Sequence, residues 1–120
     1  MSYLGRRRVC LATMLLAWTT AFGAHAEDMH SGNFWLARCS EQVTTACLSF
    51  LHGAQEMHER MASDDYKRRL FCPPDGITLG QSRLIVVKYL RENPNLLHLP
   101  FVSLVTLGLA KSFPCPRNPN

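Results

Sequence analysis

Cysteine and histidine are the residues of this chain best suited to chemistry, and there are five of each. Cys39, Cys47, Cys72, Cys115 and His30, His52, His58, His98 lie beyond residue 26. Thiolates and imidazoles hold zinc only at restricted spacings. No Cys-x-x-Cys pair occurs, and the seven residues between Cys39 and Cys47 make a poor zinc spacing. His52 and His58, six apart, point to different sides of a helix. His-Glu-x-x-His, Cys-x-x-Cys-His, a nucleophile elbow and a phosphate loop are all missing. Asp64, Asp65 and Asp75 pair with no nucleophile. The expectation is a non-enzymatic binding protein with no metal and no cofactor. Its cysteines would then serve as two disulfides, which form in oxidising compartments.

The N-terminus agrees with that compartment. Arg6, Arg7 and Arg8 make a positive start, Val9 to Phe22 is an apolar run, and Ala24-His25-Ala26 has the small-x-small pattern of a cleavage site. The run is shorter than the roughly 20 residues that span a bilayer. Residues 1–26 therefore read as a cleaved signal peptide, and residues 27–120 as one exported domain with no membrane contact after cleavage. The chain has 13 Lys+Arg and 9 Asp+Glu; three of the 13 lie in the leader, which leaves ten against nine. A balanced chain without a basic patch gives no case for nucleic-acid binding. Lys67-Arg68-Arg69 follows Asp64-Asp65 and reads as a solvated loop. A domain this small has a marginal core, and covalent staples are a common remedy.

Four helices must position those cysteines. Glu27 to Gly32 is polar and reads as frayed, and Asn33 to Cys39 suits a short helix carrying Phe34, Trp35 and Leu36. Ser40 reads as the N-cap of a second helix reaching about Ala62, with Val43, Cys47, Phe50, Ala54, Met57 and Met61 on its inner face. Gly53, costly in a helix interior, suggests either a close neighbour or a tolerated glycine. Ser63 to Gly76 is a loop that Phe71 and Cys72 pin to the core. Thr78 caps a third helix, with Gln81 completing a capping box. Its inner stripe is Leu79, Val86, Val87 and Leu90, flanked by Ile85 and Tyr89. Pro94 ends it, and Pro100 opens a fourth helix reaching about Ser112. That last helix is apolar nearly all round, so it is central to the bundle or also meets a second subunit. The fold class is all-α, a compact four-helix domain stapled by two disulfides.

Four blocks, in this order, resemble the Tai (type VI secretion amidase immunity) family. Cys47-Leu48-Ser49-Phe50-Leu51-His52-Gly53 resembles its Cys-x-Gly-Tyr-x-x-Gly element, with Ser49 and Phe50 in place of Gly and Tyr. Phe71-Cys72-Pro73-Pro74 with Thr78 and Gln81 resembles its Phe-Cys-x-Pro…Thr-x-x-Gln element. Val86-Val87-Lys88-Tyr89-Leu90 with Asn93-Pro94 resembles its Val-Val-x-Tyr-Leu…Pro element, and Leu104 to Leu109 with Phe113-Pro114-Cys115 resembles its last helix and Phe-Pro-Cys end. The resemblance implies a periplasmic protein whose partner is a cognate peptidoglycan amidase effector. It also implies a homodimer, which would use the fourth helix. The family's plug includes the loop between its last two helices, so Asn93, Asn95, Leu96, Leu97 and His98 are the expected partner-binding residues. Two alternatives stay open: the leucines of this loop could fold back onto the core, and the chain could be a stand-alone periplasmic structural or stress-related protein.

Four cysteines allow three pairings, and spacing alone does not choose among them. A nested pattern, Cys39–Cys115 with Cys47–Cys72, is expected here. Cys72 would run back beside helix two, and Cys115 would tie down the short first helix.

Overall fold

The computed structural model describes residues 28–41, 45–65 and 68–116. The leader expected over residues 1–26 lies outside them. Four α-helices appear among the described residues: α1 (Gly32–Ser40), α2 (Thr45–Asp64), α3 (Leu79–Glu92) and α4 (Phe101–Ser112), with a 3-10 turn at Pro94–Leu96 before α4. No strand occurs among the described residues; one isolated bridge joins Ser31 to Pro100.

The third helix begins as the sequence requires. The Thr78 hydroxyl accepts from the Gln81 N–H at 3.1 Å, and the Gln81 side chain accepts from the Thr78 N–H at 2.9 Å. Two donors with no intrahelical partner are thereby satisfied. Ser82, Val86, Val87 and Leu90 turn inward. They meet Leu104, Val105 and Leu109 of α4 in one core with Cys39, Cys47, Leu51, Phe71 and Phe101. Gly108 marks a close approach between α3 and α4: a Cβ there would lie 3.1 Å from Cβ of Tyr89.

Aromatic rings hold the first helix down. Trp35 stacks on Phe101 with centroids 5.0 Å apart and planes 8° from parallel, and Phe50 tilts against both rings. Offset aromatic pairs add about 0.5–1.5 kcal/mol to the burial of their area. Arg38 lies over the Phe34 ring at 3.5 Å.

Three expectations are corrected. Ser40 does not start α2; it is the last residue of α1, and α2 begins at Thr45. The Cα atoms of Cys39, near the end of α1, and Cys47, near the start of α2, lie 5.2 Å apart, within disulfide range. The bridges are therefore Cys39–Cys47 and Cys72–Cys115, consecutive and not nested. The inner face of α2 is also rotated. Cys47, Leu51, His58 and Ala62 are buried, whereas Met57 and Met61 are exposed. Gly53 meets nothing within 4 Å, so it marks no close approach.

Candidate functional site

The loop between α3 and α4 is a compact series of turns. Asn93 ends α3: its side-chain amide donates to the Tyr89 carbonyl at 2.7 Å, and its own N–H donates to the Leu90 carbonyl at 3.2 Å. Leu96 and Leu99 then donate to the carbonyls of Asn93 and Leu96, at 3.0 and 2.9 Å. Proline at the first position of the 3-10 turn lacks the N–H that would otherwise be unpaired.

A second segment, far off in sequence, clamps this loop from one side. The N–H groups of Gly32 and Asn33 open α1 and have no intrahelical acceptor. They donate instead to the carbonyls of Leu99 and Leu97, each at 3.0 Å. The Phe101 N–H donates to the His30 carbonyl at 2.6 Å. Ser31 is the N-cap between them, its hydroxyl accepting from the Phe34 N–H at 3.4 Å and donating to the Asp28 carbonyl at 2.9 Å. The Trp35 indole N–H fixes the approach to this cap by donating to the Met29 carbonyl at 2.8 Å. Gly32 is required where it stands. A Cβ would lie 2.4 Å from a Leu104 methyl and 3.1 Å from the Leu97 carbonyl oxygen.

The five expected partner-binding residues thus divide. Leu96 and Leu97 are half-buried and pack against the core, so the inward reading of the leucines holds for both. Asn93 is half-buried and occupied in ending its helix. Asn95 and His98 face solvent, with Pro94 and Pro100 also exposed. The chain presents a stiff polar edge on an apolar anchor, not a protruding greasy plug.

Sequence reasoning missed residues 30–33, reading that stretch as frayed through Gly32. Serine followed by glycine at the head of an aromatic helix was the available signal, since serine is a preferred N-cap and glycine admits close approach.

Among the described residues no group of three His, Cys, Asp or Glu side chains gathers as metal ligands. No described helix is long and apolar enough to cross a membrane. Among the described residues, four helices, two consecutive disulfides and a clamped loop define a small helical domain. The chain belongs to the Rap1a immunity protein family, whose model matches residues 31–115. The match starts at the α1 N-cap and ends at the last bridging cysteine, so it takes in all four helices and the loop. Such a family implies a cognate toxin as binding partner. No curated protein and no solved structure matches the chain.

Proposed function

We propose that this chain is a periplasmic immunity protein that binds a peptidoglycan amidase toxin of the type VI secretion system and occludes its active-site cleft without catalysis of its own. The family match is the observation that carries the reading. The amidase as target follows from the Tai-like blocks in the sequence. Two disulfides and an exportable leader support the periplasm, an oxidising compartment.

Asn95 and His98 are the contact residues in this reading, and Leu96 and Leu97 set their position from below. A surface fixed before binding loses little conformational entropy on association, which favours tight complexes. Fixing comes from the three backbone hydrogen bonds to residues 30–33 described above. Homodimerisation belongs to the same proposal. Val102 and Leu107 on α4 remain exposed in one copy and would be covered in a dimer.

The test is co-purification of the oxidised protein with a Cys/His amidase encoded beside its gene, followed by a peptidoglycan hydrolysis assay. Stoichiometric inhibition is expected. A protein that neither binds nor inhibits that amidase contradicts the proposal.

A further inference from the structure

His58 is a buried titratable side chain remote in sequence from the loop, with 8% of its surface exposed. Its Nε2 accepts a hydrogen bond from the Leu70 backbone N–H at 2.9 Å. Its ring lies flat on Phe71, with centroids 3.8 Å apart and planes 12° from parallel. A ring nitrogen that accepts carries no proton, so the neutral imidazole keeps its hydrogen on Nδ1. Nδ1 is buried with no hydrogen-bond partner, and the Glu59 carboxylate is 3.7 Å away, too far for a bond. A proton added at Nε2 would set one donor against another, so the Leu70 bond survives only with the ring neutral.

The segment that His58 holds has a second attachment of a different kind. The Cys72 N–H donates to the Phe113 carbonyl at 2.8 Å, and the Cys72–Cys115 bridge ties the same residue covalently to the end of α4. Leu70 forms one lip of an apolar groove between α2 and α4, opposite Met57, Met61 and Val102, with Phe71 and Val105 beneath. One end of the groove wall is thus permanent and the other depends on an imidazole lone pair.

We infer that His58 is a protonation-operated latch: neutral, it closes the Leu70–Phe71 wall against α2; protonated, it releases that wall, which stays tethered through Cys72–Cys115. The charges around it come from two elements. On α2, Glu59 favours the protonated ring; on the latched segment, Arg69 opposes it and forms an ion pair with Glu59 at 2.8 Å, and Arg68 lines the groove. From α4 the groove receives Val102, Val105 and Thr106, none of them charged. Burial holds the His58 pKa below its ordinary 6.5, Glu59 works against that shift and Arg69 adds to it. The released ring recovers the ordinary value. The latch is therefore fully closed above pH 6.5 and weakens as pH falls from there toward the lower folded value.

The test is an NMR titration of the oxidised full chain, following the His58 ring and Leu70 amide exchange together. Opening at Leu70, corrected for intrinsic exchange, should rise by up to about tenfold per pH unit below 6.5 and level off once His58 has titrated. Amides inside α3 should show no such rise. His58→Gln, whose side-chain oxygen accepts without titrating, should flatten the dependence; the wild-type titration decides the matter if that variant folds poorly. Leu70 protection that ignores the titration of His58, or a His58 that titrates at or above its ordinary value, overturns the latch.

Discussion

Gly32→Ala perturbs the loop from below without altering its exposed edge. The added Cβ would lie 2.4 Å from Leu104 Cδ1, 3.1 Å from the Leu97 oxygen and 3.2 Å from Leu97 Cα. A surface side chain would swing away, but Leu104 is fully buried, and the other two atoms are loop backbone. Overpacking of this kind costs about 1–3 kcal/mol. Alanine's better helix propensity offsets at most about 1 kcal/mol, and less at the first position of a helix. The net loss is then about 1–2 kcal/mol, or roughly 5–15 °C in Tm for a domain of this size. Gly53→Ala is the control of opposite sign. Gly53 is exposed on α2 with nothing within 4 Å, so only the backbone effect remains, a gain of about 0.5–1 kcal/mol. Thermal and urea unfolding of the oxidised proteins, followed by circular dichroism, reads both. A Gly32→Ala protein as stable as wild type refutes the close approach on which the clamp rests, and a Gly53→Ala protein less stable than wild type refutes the open surroundings of Gly53.

Other outcomes follow from the bridges and from Arg83. Cys39 and Cys47 are fully buried, whereas Cys72 and Cys115 are half-buried, so graded reduction with mass-spectrometric alkylation should open Cys72–Cys115 first. On the chain-entropy view, the sequence separations of 8 and 43 give about 2.5 and about 4 kcal/mol, so Cys72→Ala/Cys115→Ala should lower the urea midpoint substantially. One Arg83 nitrogen donates to the carbonyls of Cys39 and Glu41 at 2.6 and 2.7 Å, joining the end of α1 to α3. Arg83→Met keeps most of the stem and removes both bonds, with an expected cost of about 1–2 kcal/mol in chemical denaturation.

What the sequence disclosed and what it hid divide along physical lines. The capping box at Thr78 and Gln81 and the proline before α4 are local signals, written in adjacent residues, and the structure follows both. The α3 stripe is legible at Val86, Val87 and Leu90, which are aliphatic, but not at its first turn, where polar Ser82 is buried and Leu79 stays outside the core. The inner face of α2 was misjudged because hydrophobicity favours Met57 and Met61 over His58. The imidazole is buried by contacts that no local pattern announces, a ring beneath it and a backbone N–H beside it. The disulfide pairing was lost at Ser40. Serine serves as well at the end of one helix as at the start of the next, and reading it as a start moved Cys39 away from Cys47. The clamp joins residue pairs more than sixty positions apart, such as Gly32 and Leu99, so no periodicity could reveal it. Apolar content marked Leu96 and Leu97 as notable without telling inward from outward, and burial answers that in favour of the core.

The most direct measurement of the central claim is the affinity of the oxidised protein for any amidase found encoded beside its gene, by calorimetry, for wild type and for Asn95→Ala/His98→Ala. Both side chains face solvent, so the double variant should fold with unchanged unfolding behaviour. Wild-type binding should be tight, and the double variant should lose about tenfold or more in Kd, or about 1.4 kcal/mol. Full affinity in the double variant would contradict the loop as the contact surface, and absence of wild-type binding would contradict the immunity reading against that toxin.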